Sequence, residues 1–251
     1  MKTRGITTVF LAAMVLVLPS LATRARGADT VDVSIDGFGA SSWTTFWAAG
    51  YAGDEIASGI YLLDKSAGSG TGTTWPNGTL PAFCMEIEEP APMVGTYTYQ
   101  VVMPDDAYNS TLGGVLGTTR GNYLRELWGR YYDDGWATGP FTATDHARAE
   151  AFSAAIWEII YENLPVTPLG WDVSTDGTLG PRGFAAADLD ASLANAWLHS
   201  LTGAGPKADL RAFVNQGQQD YLVAVPEPAT VMLLGLGGLL SLMGGRRRRV
   251  Q

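Results

Sequence analysis

The sequence predicts an α+β fold set between two terminal segments of a different kind, an N-terminal signal peptide and a C-terminal single hydrophobic helix. Three observations predict it. The chain of 251 residues is 46% hydrophobic and only 16% charged, with 31 Gly and 13 Pro. That composition supplies a core and many turns, favours strands, and excludes a coiled coil or a disordered chain. Val31, Val33 and Ile35 alternate with Asp32, Ser34 and Asp36, the period of a half-buried strand. Ala149, Phe152, Ile156 and Ile160 recur at three and four residues, the period of a helix. The length fits one ordinary domain or two small ones.

Residues 1–28 have the layout of a secretory signal. Lys2 and Arg4 form a basic start, Ile6 to Leu18 an apolar core, and Ser20-Leu21-Ala22 a small-residue cleavage site. Ala25-Arg26-Gly27 is a second possible cut, so the mature start falls between residues 22 and 28. The same pattern also fits an uncleaved anchor, although the apolar core is short for a span. The exported domain is then expected over 29–225.

Gly37 and Gly39 are expected to end the first strand. Residues 43–60 mix aromatics with glycines and give no clear element. SAGSGTGTTWPNG, Ser66 to Gly78, predicts a long exposed loop. Strands are expected around Ala82–Ile87 and Gly95–Val102, where β-branched and aromatic residues dominate. Leu124, Leu127, Trp128 and Tyr131 predict a short helix over 123–132. The clearest helix runs from about Ala143 to Asn163, with Thr142 and Asp145 placed for a capping box. Leu189, Leu193, Trp197 and Leu201 predict another over 187–201, and Asp220–Val225 a last strand.

After that strand come Val225-Pro226-Glu227-Pro228-Ala229-Thr230, an apolar run from Val231 to Met243, Gly244-Gly245, and Arg246, Arg247, Arg248 and Arg249. Pro228 to Gly245 as a helix is about 27 Å long, enough to cross a thin bilayer. The arginine cluster would stay in the cytoplasm. This tail resembles the PEP-CTERM sorting signal of Gram-negative bacteria. The resemblance implies an exosortase that recognises Pro226, Glu227 and Pro228, a helix held transiently in the inner membrane, and delivery to the envelope, surface or extracellular matrix. Pro226 and Pro228 lack backbone donors, which keeps the motif extended and accessible. Hydropathy alone would suit a permanent anchor equally well. The general secretion machinery is the other partner implied by the two ends.

Setting aside eight terminal cations and Glu227 leaves eight Lys plus Arg against 24 Asp plus Glu, a net of −16. Such a surface repels nucleic acid. One cysteine, Cys84, excludes an internal disulfide and a cysteine zinc site, and only His146 and His199 are present. No cofactor is expected.

Phe83-Cys84-Met85-Glu86, followed far downstream by Ala151-Phe152-Ser153-Ala154-Ala155-Ile156-Trp157-Glu158, resembles a thioester-type domain. The resemblance implies a β-sandwich or β-barrel with inserted helices. In that family a strand Cys joins a Gln four residues before the helix Trp. Here the positions hold Cys84 and Ser153, and serine has no carboxamide, so the thioester chemistry is removed. Cys84 then reads as a small buried hydrophobe, with a reactive free thiol or an intermolecular partner as the other reading.

Asp172, Ser174 and Asp176 match the start of a calcium loop, but position twelve is Gly183 where a bidentate Glu is required, so an ordinary turn fits better. Glu86, Glu88 and Glu89 are close in sequence, with Glu86 and Glu88 expected on one strand face. Trp43, Trp75 and Trp136, if exposed, would stack on sugars. No hydrolase nucleophile elbow, phosphate loop or zincin motif occurs. The expectation is a non-enzymatic exported protein linked to exopolysaccharide, with a carbohydrate-binding or carbohydrate-active module as the alternative.

Overall fold

A computed structural model describes residues 28–175 and 183–226. The expected signal peptide up to residue 27, Asp176, Glu227, Pro228, the expected tail helix and the arginine cluster lie outside the described residues.

The first two strands dominate the architecture. β1 (Thr30–Ala48) and β2 (Tyr51–Ser69) form an antiparallel hairpin of 19 residues each. Ala49 and Gly50 close it, both at positive φ (52° and 90°), as a two-residue hairpin turn requires. Gly37 and Gly39 do not end β1, contrary to the sequence expectation. The register instead slips between Ile35 and Gly37 and again between Phe38 and Ser41. Glycine in a strand marks a bulge as readily as an end. Gly39 is needed for close approach, since a Cβ there would meet Trp136 O at 2.4 Å. Gly59 on β2, paired with Ser41, sits at φ 128° with Ala40 O 2.4 Å from any added Cβ.

The bulged β1 serves different neighbours along its length. Its start pairs with β4 (Tyr97–Val102) and its end with β7 (Phe184–Ala187). β2 pairs with β3 (Gly78–Cys84), β3 with β9 (Gln218–Ala224), β9 with β8 (Leu210–Asn215), and β8 with β4. The pairing therefore returns to β1 and closes a ring of six antiparallel strands, with β7 as a seventh beside it. β5 (Tyr108–Asn109) and β6 (Gly114–Val115) form a separate small ribbon. Of the two expected arrangements, a closed barrel describes these pairings.

Residues paired across strands share a face. Tyr99, Val101, Phe213, Tyr221 and Cys84 thus point one way. Tyr221 lies 5.5 Å from the Tyr61 ring and 5.8 Å from Tyr99. On the other face Phe83 meets Phe152 at 4.8 Å and Trp128 at 5.5 Å, and there the helices dock.

α1 (Gly117–Tyr131) starts six residues before its expected position, with no side-chain cap at Leu116 to announce it. α2 (Ala143–Tyr161) has the expected capping box, Thr142 Oγ1 accepting from Asp145 N and Asp145 accepting from Thr142 N. The expected single stripe is exceeded, because every residue from Ala149 to Tyr161 is buried. A helix packed on all sides is apolar all round, and three of its buried polar side chains each accept a hydrogen bond. Glu150 accepts from Thr44 Oγ1 at 2.8 Å, Ser153 from Gly59 N at 2.7 Å, and Glu158 from Asp172 N at 3.1 Å. α3 (Ala191–Ser200) is capped by Asp190 and is shorter than expected, because the preceding chain is β7.

The expected loop over Ser66–Gly78 is another correction. β2 continues to Ser69, a 3₁₀ turn follows at Gly70–Thr74, and Trp75 is only 2% exposed. Its indole packs edge-on to Phe213 at 5.1 Å and donates to Ala224 O at 2.8 Å. Trp136 is fully buried, so only Trp43 (65% exposed) of the three expected sugar-stacking tryptophans lies at the surface. Among the described residues no helix is long and apolar enough to cross a membrane.

Candidate functional site

Three places, besides the Asp172 turn, hold the side chains that the sequence singles out. The first is the junction of the folded body with its tail. β9 ends at Ala224, whose carbonyl is held by Trp75, and Val225 N–H donates to Asp209 O at 2.8 Å. Pro226 follows at once and is exposed. The barrel thus presents the first proline of the motif one residue beyond its last hydrogen bond.

The second place is the pair Cys84 and Ser153. Cys84 is 1% exposed, and its thiol donates to Glu86 O at 2.9 Å. Burial pushes its pKa far up, the charges of Glu86 and Asp220 push the same way, and the Trp157 indole and Glu86 carbonyl only partly oppose them. A thiolate, the nucleophilic form, is therefore disfavoured. Ser153 Oγ is used by Gly59 N, on the β2 side of α2. The two side chains serve different backbone groups.

Asp172 stands at the start of a tight turn, where its Oδ1 accepts from Ser174 N, Ser174 Oγ and Asn195 Nδ2. Although burial opposes them, these donors hold its carboxyl low, at about 2. All three bonds fall on the one oxygen, which is the pattern of an ordinary Asx-type turn. Among the described residues no group of three or more His, Cys, Asp or Glu is arranged to hold a metal ion. His146 Nδ1 meets Ser41 O at 2.7 Å and His199 Nε2 meets Trp171 O at 2.7 Å. Both rings lie against backbone groups.

The third place was only half legible. β3 stops at Cys84, so Glu86 and Glu88 do not share a strand face as expected. They lie in the turn that follows. Glu88 accepts from Tyr161 OH of α2 and from Ser110 and Thr111 in the turn between β5 and β6. Glu86 and Glu89 instead line a pocket of about 730 Å³. Its floor is the outer face of β4 and β8, with Thr98, Gln100 and Val214 pointing away from Tyr99 and Phe213. Asp106 and Tyr108 form part of its wall. Asp220, from β9, completes the acidic side. Sequence reading took Asp220 only as strand start, because its proximity to Glu86 depends on β3–β9 pairing. Met85 N–H donates to Asp220 O at 2.9 Å, which holds the turn carrying Glu86 against β9, and both carboxylates line the same pocket.

The pocket has a consistent electrostatic bias. Burial, then the charges of Asp220, Glu89 and Glu88, raise the Glu86 pKa from 4.5 to about 8. Burial raises Asp220 from 3.8 to about 7, with the Glu89 charge adding and the Asn215 N–H opposing. Both groups stay partly protonated near neutrality, and each would release its proton to a cation.

Residues 224–249 match the family described as the PEP-CTERM protein-sorting motif. The match begins at the last residue of β9 and is confined to the tail. It marks the chain for export and association with the envelope, with an exosortase as processing partner. No curated protein and no solved structure matches the chain.

Proposed function

We propose that the chain is a non-enzymatic protein of the cell surface or extracellular matrix. Its body is a thioester-type domain that has lost the thioester, and its tail is a temporary inner-membrane anchor that an exosortase of a Gram-negative cell removes. The observation that carries the reading is the junction: the sorting motif follows the last barrel hydrogen bond directly, with Pro226 exposed. A processing enzyme would meet a motif that begins one residue beyond the last barrel hydrogen bond rather than on a long tether.

The thioester part of the reading is supported by a strand cysteine and a buried central helix on a closed antiparallel sheet, with Ser153 at the glutamine position. The buried, high-pKa thiol supports a structural use of Cys84. The acidic pocket favours a second reading, a module that binds matrix polysaccharide.

The test is intact mass and cell fraction of the protein in a host with and without its exosortase. Loss of the tail near Pro226 to Ala229 only when the exosortase is present supports the reading. An uncut, membrane-bound chain in both hosts replaces it with a permanently anchored protein. Reproducible glycan hydrolysis, or a Cys84 acyl cross-link in the same spectra, overturns the non-enzymatic part.

A further inference from the structure

The acidic pocket lacks a counter-charge, and that deficit identifies its ligand. Four of its twelve lining residues are carboxylates, Glu86, Glu89, Asp106 and Asp220, and none is Lys, Arg or His. Glu86 is only 8% exposed, yet among the described residues its carboxyl has no hydrogen-bond or ion-pair partner, and the charges that act on it most are those of Asp220, Glu89 and Glu88. A buried carboxyl of this kind is costly unless something pairs with it. Asp220 spends one oxygen on Asn215 N at 2.8 Å, and Glu89 one on Gly217 N at 2.7 Å. The second oxygen of each remains to accept.

Size and chemistry narrow the ligand. At about 730 Å³ the pocket is in the range of small-molecule sites and far larger than a bare ion needs. Its carboxyls do not converge as metal ligands do. Gln100 and Gln216 add side-chain amides that both donate and accept. Tyr108, 61% exposed, places an aromatic ring at the edge, the surface on which a sugar ring packs. Ammonium donors satisfy carboxylates, amides satisfy hydroxyls, and the ring covers an apolar sugar face.

We propose that this pocket binds an amino sugar with a free primary ammonium, seated at Glu86 and Asp220 with its hydroxyls on Gln100 and Gln216. The choice of a sugar rests on the reading that the exported body meets matrix polysaccharide. The raised carboxyl pKa values agree with a site built to give up a proton when a cation enters.

The full chain, purified in detergent, is titrated calorimetrically with a glucosamine tetramer, its fully N-acetylated form, a glucose tetramer and cadaverine. The glucosamine tetramer is expected to bind, and the other three to bind at least about tenfold more weakly. Glu86→Gln keeps the shape and removes the charge, so it should fold, as thermal melting will show, and weaken glucosamine binding about tenfold or more. Tyr108→Ala, at an exposed site, should weaken the tetramer and leave the melting temperature unchanged. Equal binding of the acetylated tetramer removes the ammonium from the proposal, and equal binding of cadaverine removes the sugar. Unchanged binding by folded Glu86→Gln, or no glucosamine binding at all, overturns the site. None of these outcomes depends on tail processing, so a failure of the sorting reading would be seen separately by mass and cell fraction.

Discussion

The Ser153 hydroxyl, buried on α2, accepts the backbone N–H of Gly59 at 2.7 Å. The helix thereby satisfies a strand donor at the place where β1 and β2 are bulged around Gly39 and Gly59. Ser153→Ala leaves that buried donor without an acceptor, a loss of about 1–3 kcal/mol. Thermal melting should show a drop of several degrees, at about 2–4 °C per kcal/mol for a domain of this size. An unchanged melting temperature would mean that the bond contributes nothing net.

Trp75 joins the chain after β2 to the end of β9 through its bond to Ala224 O at 2.8 Å. Trp75→Phe removes that bond and part of the packing on Phe213, while keeping an aromatic ring. The expected cost is about 1–2 kcal/mol, with tail cleavage retained because Pro226 stays exposed. Denaturant melts and a cleavage assay on the same variant check the two halves separately.

The stability of the body should fall as pH rises. Glu86 and Asp220 have folded-state pKa values raised to about 8 and about 7, from 4.5 and 3.8. Between the unfolded and folded values the folded state holds more protons, so unfolding becomes easier with each step upward in pH. Their contribution is fully present below about pH 4, declines through pH 7 to 8, and is flat above. Melting temperatures at pH 5 and pH 9 should therefore differ, and Glu86→Gln should narrow the difference by raising the value at pH 9. A wider difference in the variant would contradict the assignment.

Truncation tests where the folded body stops. A chain ending at Val225 retains all of β9 and its last hydrogen bond to Asp209, and should melt within about 2 °C of one ending at Gln251, a difference below about 1 kcal/mol. A chain ending at Tyr221 loses Leu222, fully buried and paired with Phe83 and Ala212, together with Val223. Removing two buried aliphatic residues costs about 4–10 kcal/mol, comparable with the whole stability of a domain, so it should not fold. Circular dichroism of the two chains decides the matter.

How much of this was legible in the sequence depends on the reach of each signal. α2 was readable because its cap, Thr142 with Asp145, and its core positions are local. The start of α1 at Gly117 was not, because no capping side chain marks it. Gly37 and Gly39 read locally as a strand end because a bulge and a turn use the same residue for the same local reason. They are distinguished only by whether a partner strand continues opposite, as β2 does. The loop expected around Trp75 failed similarly, since its glycines imply turns but not the barrel wall that buries the indole. In the candidate site, Glu86 and Glu89 were visible as neighbours in sequence. Asp220 was not, since it joins them only through the pairing of β3 with β9.

Contiguous residues thus carry the destination of this protein: the prolines, apolar run and arginines of its tail act in chain order and require no folded partner. They also carry the capped central helix. The closed ring, the burial of Trp75 and Trp136, and the placing of Glu86 beside β9 arose from contacts between segments far apart in the chain. Hydrogen-bond pairing and exclusion of water act on neighbours in space, so a pocket assembled from β4, β8, β9 and the turn after β3 exists only once those strands have met.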